Sequence, residues 1–395
     1  MIRDPVHRNV LILALCQALS MTVMSISMTI TALNGEDLAP AAGWATVPLG
    51  LQAIATMAAT IPASQFMRRW GRRAGFTVGA LIGMVGGALG MFAVLAANFW
   101  ILCLSNIFLG AMMGFGVFYR FAAADASGEA FRSRAISLVM AGGVVSAVAG
   151  PTLSQYTRDL FSAYTYVGCY GIMIVIGLGV LALLPLTNIP VPTAADRRHS
   201  GRPLGSIFRQ PTAIVALMAG MIGYGVMSFL MTASPLAMEH HHFHFDDWAA
   251  VIEWHALGMF APSFFTGHLI KRFGVLNILA AGALLMFAAA GADLAGVGFW
   301  NFWVGLFLLG LGWNFLYIGS TSLLTETYEP AERAKVQGLN DFLVFGTVAA
   351  AAFVSGGLHS AFGWSAVNYG ILPLVALTLL ATLWLMDRRR VVAAE

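Results

Sequence analysis

Twelve apolar runs of about 20 residues fill most of this chain and leave it few ways to fold: 9–33, 44–67, 75–96, 99–119, 134–156, 164–186, 211–234, 247–269, 275–294, 299–322, 336–358 and 364–386. A run of that length matches the hydrocarbon core of a bilayer when coiled as an α-helix, which satisfies every backbone polar group internally. The expectation is an all-α polytopic membrane protein with twelve transmembrane helices. Only 10% of the 395 residues are charged, against roughly 25% in a soluble chain, so no soluble domain is expected. The net charge of +3 offers no basic field for nucleic acid. The first run, from about Asn9, exceeds a signal-peptide core and reads as the first span. Cys16, Cys103 and Cys169 all lie in apolar runs, and no disulfide framework is readable. No Walker loop, HExxH or Gly-x-Ser-x-Gly pattern occurs, so neither an enzyme nor a catalytic cofactor is expected.

The longest polar break, 187–210, separates residues 1–186 from 211–395, six runs in each part. Lys and Arg sit in the N-terminal tail, in alternate breaks and in the C-terminal tail. Twenty of the 21 basic residues thus fall on one side, with Arg158 alone on the other. The positive-inside rule then places both termini and the central loop in the cytoplasm. The halves also repeat. Arg69-Trp70-Gly71 after the second run matches Arg272-Phe273-Gly274 after the eighth at an offset of 203, and Arg132 matches Arg333 at an offset of 201. Such offsets imply a duplicated six-helix unit.

Twelve spans, a 6+6 repeat, a long central loop and basic glycine turns after spans two and eight resemble the major facilitator superfamily. Gly267-His268-Leu269-Ile270-Lys271-Arg272-Phe273-Gly274 follows its inter-helix motif, and Gly150-Pro151 resembles its fifth-helix Gly-Pro motif. The motif's acidic residue is replaced by Arg68 in one half and Lys271 in the other. Asn106 stands where proton-coupled exporters commonly carry Arg. The resemblance implies two six-helix bundles working by alternating access, with cargo near the membrane midplane and a monomer as the functional form.

Met227 and Met231 form an i,i+4 pair on the seventh run, and His255 and Met259 a second on the eighth. The spacing puts both members of a pair on one helical face. Counted from the outer ends, the pairs occupy overlapping depths of ~5 to 18 Å. If the two runs lie side by side, three thioethers and an imidazole share a pocket. Neutral soft donors of this kind favour Cu(I). The alternative is packing, the usual role of methionine at helical spacing. The two motifs resemble those of the CcoA-type copper importers, a bacterial branch of the superfamily linked to assembly of copper-containing cytochrome oxidase. So do Gly312-Trp313-Asn314-Phe315-Leu316-Tyr317 and Glu332-Arg333-Ala334-Lys335-Val336-Gln337. By that resemblance Met227, Met231, His255 and Met259 are copper ligands, copper is the transported ligand, and copper chaperones on either side of the inner membrane are its partners. The branch also includes riboflavin carriers. Trp313, Phe315 and Tyr317 offer stacking surfaces for such a cargo.

Other residues are secondary candidates. Met21, Met24 and Met28 form a stripe on the first run that reads as a metal relay or as core, with Cys16 further in. His240, His241, His242 and His244 lie between runs seven and eight, where they read as a metal-collecting or a solvated loop. Glu253 and Asp341 are acidic residues expected within helices and candidates for proton coupling. The leading expectation is copper import, with a carrier of riboflavin or another small organic solute as the alternative.

Overall fold

The computed structural model describes residues 5–41, 44–189 and 201–394. Arg3, Arg197, Arg198 and the rest of residues 190–200 in the central loop lie outside the described residues. The regular structure is helical throughout the described residues: α1 (Pro5–Leu38), α2 (Val47–Trp70), α3 (Arg72–Leu95), α4 (Phe99–Gly116), α5 (Tyr119–Asp125), α6 (Arg132–Met140), α7 (Gly142–Thr157), α8 (Val167–Leu183), α9 (Leu204–Ile207), α10 (Pro211–His240), α11 (Phe245–Phe260), α12 (Ser263–Phe273), α13 (Val275–Leu294), α14 (Phe299–Leu324) and α15 (Arg333–Ala394).

Among the described residues, ten helical stretches are long and apolar enough to cross a membrane. The eighth and eleventh apolar runs complete the twelve-helix pattern in altered form. The eighth, expected as one segment over 247–269, is broken between α11 and α12 at Ala261 and Pro262. Pro262 has no N–H to return to Gly258, so the ladder lapses there. The eleventh and twelfth runs form α15, two helices joined at Gly363, whose φ of 77° suits glycine.

The sequence repeat has a structural counterpart in its turns. Gly71 closes α2 with φ 89° and donates its N–H to Met67 O at 2.8 Å. Gly274 closes α12 with φ 88° and donates to Ile270 O at 2.8 Å. Each glycine is the hinge of the basic motif predicted to repeat, and both adopt a φ that a side chain would strain.

The chain divides into two compact units. One comprises Met1–Gly128, Leu138–Ser200 and Pro330–Phe342; the other comprises Glu129–Ser137, Gly201–Glu329 and Leu343–Glu395. In the first, α4 packs on α2 and α3, while α1 packs on α7 and α8. In the second, α14 is the central helix and receives α10, α11 and α13. Lipid gives apolar helices little reason to exchange neighbours, so association rests on close approach through small residues. At Gly114 a Cβ would come within 2.5 Å of Ala59 Cβ on α2. At Gly310 it would meet His255 O at 2.5 Å and Met259 N at 2.9 Å on α11.

Candidate functional site

The second unit carries the four residues singled out as ligands. Met227 is buried and Met231 half-buried on α10; His255 is buried and Met259 half-buried on α11. α10 and α11 each pack chiefly on α14, not along one another. The side-by-side placement expected of these two runs is therefore corrected: α14 takes up the apolar face of both. His255 is turned to α14 as well, its Nδ1 donating to Leu306 O at 2.7 Å. Its Nε2 is buried without a hydrogen-bond partner.

Asn314 of α14 pins the break between α11 and α12. Its Nδ2 donates to Met259 O at 2.6 Å and to Ser263 Oγ at 2.6 Å, while its Oδ1 accepts from Thr266 Oγ1 at 2.7 Å. The Met259 carbonyl released by the break is thereby satisfied within the unit, as a nonaqueous setting demands.

Below this point α14 presents an aromatic cluster. Trp313 and Tyr317 stack with centroids 5.0 Å apart and planes 19° apart. Tyr224 of α10 meets them edge-on at 5.2 and 5.1 Å. Phe345 of α15 lies 5.5 Å from Tyr224, and Phe260 of α11 lies 5.6 Å from Trp313. Trp313 Nε1 is buried without a hydrogen-bond partner. Phe315, expected as a third stacking residue, turns instead to α13, where its Cβ packs against Gly282. Tyr224, Phe260 and Phe345 escaped the sequence reading. Tyr224 stands one turn before Met227, and its aromatic ring amid small and aliphatic residues was the available signal.

The loop histidines serve the turn between α10 and α11. His240 ends α10, His241 caps it, His242 has φ 64°, and the His244 N–H donates to Asp247 Oδ2 at 3.0 Å. Among the described residues no group of three or more His, Cys, Asp or Glu is placed to hold a metal ion. Glu253 is exposed on α11.

The first unit has its own polar interior. Ser27 Oγ donates to Gln52 Oε1 at 3.1 Å, Thr31 Oγ1 to Asn106 Oδ1 at 3.3 Å, and Gln52 Nε2 to Met24 Sδ at 3.1 Å. The α1 methionine stripe is accordingly split: Met24 is tied to Gln52, Met21 is half-buried, and Met28 is 65% exposed. Cys16 is fully buried. Asp341 forms a buried ion pair with Arg120 at 2.5 Å and accepts from Asn340 Nδ2 at 2.9 Å. A neighbouring set joins Asp125 to Arg72 at 2.9 Å and to Arg333 at 3.2 Å, with Arg72 also donating to Gln337. Asp125 was not anticipated; lying beyond the predicted end of span four at residue 119, it was hidden among loop residues.

A sequence model of the Major Facilitator Superfamily matches residues 13–261 and 231–395. This chain belongs to that superfamily. Among its relatives, the riboflavin transporter RfnT of Brucella anthropi is 41% identical over 375 residues, covering 94% of each chain. The fold of this major facilitator protein is also similar to that of the Escherichia coli fucose:proton symporter FucP, with a TM-score of 0.77 at 17% identity and coverage of 96% and 99%. It is similar again to the human organic anion transporter MFSD10 (TETRAN), with a TM-score of 0.78 at 13% identity and coverage of 96% and 100%. These two likenesses show the fold alone, and with the family match it is that of a multi-pass membrane protein.

The relative from Brucella anthropi overturns the expectation of copper import, because near full-length identity of that degree to a riboflavin transporter, not to a CcoA-type copper importer, favours the organic-solute alternative. The physical source of the error is visible. Two i,i+4 pairs of Met and His are as compatible with packing on a shared third helix as with a metal pocket, and spacing alone cannot separate the two.

Proposed function

We propose that this protein is a secondary transporter that brings riboflavin into the cell across the bacterial inner membrane, with both termini cytoplasmic and a monomer as the working unit. The observation that carries the reading is the near full-length similarity to a riboflavin transporter, and the chemistry of the second unit agrees with it. A flavin is a planar tricycle bearing a neutral polyol. Trp313 and Tyr317, buried and edged by Tyr224 and Phe345, form a rigid aromatic cluster of the kind such a ring stacks on once the unit opens toward it. The unpartnered indole N–H of Trp313 suits a ring carbonyl. α14 contains no Asp, Glu, Lys, Arg or His at all, which matches an uncharged cargo. Arg120 and Asp341 are paired to each other, and proton coupling through Asp341 would require that pair to open.

The test is riboflavin uptake in a bacterial strain that neither synthesises nor imports the vitamin. The chain should restore growth on low external riboflavin, and Trp313→Ala should lower uptake about tenfold while its abundance in the membrane is kept. A parent that reaches the membrane and carries no riboflavin, or that accumulates copper in its place, overturns the reading.

A further inference from the structure

We infer that His255 is a specificity-determining residue of the proposed flavin site, acting through Nε2 as a fixed acceptor for a hydrogen-bond donor of the cargo; this rests on the flavin reading. A backbone carbonyl can only accept, so the 2.7 Å contact with Leu306 O puts the proton on Nδ1. In the neutral ring Nε2 then holds an in-plane lone pair, aimed away from the Leu306 carbonyl. The residue is 1% exposed, and Nε2 has no hydrogen-bond partner. Burying an acceptor and leaving it unused is costly, and helix α11 has no structural need of it, because Leu306 already orients the ring.

Trp313 presents the opposite case on the same helix. Its Nε1 is a buried donor with no partner, and an indole can only donate. Leu306 and Trp313 are seven residues apart, which places them on one face of α14 about 10 Å apart along its axis. Phe260, on the same helix as His255, reaches Trp313 at 5.6 Å, so α11 and α14 bracket both groups. An orphan donor beside the stacking surface and an orphan acceptor two turns away describe a neutral cargo with a carbonyl near its ring and an N–H or O–H at a distance. The flavin offers two such donors, the imide N–H of its pyrimidine edge and the hydroxyls of its ribityl chain.

Binding to the purified full-length protein separates them. The probes are riboflavin, N3-methylriboflavin, which lacks the imide donor, and lumiflavin, which lacks the polyol. The parent should bind one analogue about tenfold more weakly than riboflavin, and the one that suffers identifies the donor. In His255→Phe riboflavin should weaken to a similar extent and that analogue's penalty should vanish. His255→Gln, which keeps an acceptor, should recover part of the difference. An affinity ratio between riboflavin and both analogues that is unchanged from parent to His255→Phe overturns the inference while leaving the flavin reading intact. Absence of riboflavin binding by the parent removes the reading itself. Should His255→Phe fail to fold, nitrogen NMR of the histidine-labelled parent decides the matter. An unprotonated-type Nε2 signal that shifts as riboflavin saturates the protein is expected. A protonated-type Nε2, or a signal that does not move, overturns the proposal.

Discussion

Asn314 uses both amide hydrogens and its carbonyl on the joint between α11 and α12, and the residue is fully buried. Asn314→Ala strands the Met259 carbonyl and the Ser263 hydroxyl, while Thr266 keeps its bond to Pro262 O, and should cost about 1–3 kcal/mol for the unmet groups. Asn314→Asp should be no better, because an ionised carboxylate cannot donate to Met259 O. Melting of the purified protein in one detergent measures both. The Arg120–Asp341 pair makes a complementary prediction. Removing one member takes the ion pair from the other's buried charge and should cost about 3–5 kcal/mol, whereas replacing both with leucine should cost less than either single change. A double substitution as harmful as the sum of the singles would show that the two do not interact. At this scale the sequence disclosed candidate residues but not their partners. His255 was legible as an ionisable group inside a span. That its Nδ1 faces Leu306, 51 residues away, follows from how α11 meets α14, which no local spacing records. The stacking cluster was half legible for the same reason: Trp313 and Tyr317 are one turn apart on one helix, while Tyr224, Phe260 and Phe345 arrive from three others.

Helix contacts here depend on positions where a side chain is missing. Gly310 lets the α11 backbone sit directly on α14, and a methyl group there would press on His255 O and Met259 N, which belong to the backbone and cannot rotate away. Gly310→Ala should therefore push the helices apart, destabilise the protein by about 1–3 kcal/mol, and weaken the His255–Leu306 and Asn314–Met259 hydrogen bonds together. Gly291→Ala, where an added Cβ meets nothing within 4 Å, is the matched control and should melt like the parent. Equal melting of the two variants would mean that α11 and α14 are less closely held than their geometry indicates. Elements were the most legible level of this protein. Apolar run length gave the helices, and the paired Arg-aromatic-Gly signatures marked turns that share a φ near 90°. The interruption at Pro262 was missed because an apolar run continues through it: hydropathy registers the side chains and is blind to one absent N–H.

Over the whole molecule, charge is distributed so as to exclude charged cargo from the interior of the second unit. Its basic residues gather at helix ends, as with Lys271 and Arg272 closing α12 and Arg389 paired to Glu326 at 2.8 Å. No Lys or Arg occurs in α10, α11, α13 or α14, whereas acidic side chains do: Asp293 on α13, 2% exposed and packed against Gly305, and Glu253 on α11 are examples. A phosphate monoester carries a charge of about −1.5 to −2 at neutral pH, and a site without a cation to meet it cannot repay its dehydration. The phosphorylated flavin cofactors should therefore fail as cargo although they present the same tricycle to Trp313 and Tyr317. In cells taking up labelled riboflavin, a large excess of unlabelled riboflavin should abolish the signal, and the same excess of flavin mononucleotide should leave it nearly intact. The assay must be short enough that surface phosphatases do not convert one into the other. Competition by the mononucleotide at riboflavin-like concentrations would require a cation at the bound phosphate, and would move the cargo site away from the aromatic cluster on α14 toward the basic helix ends.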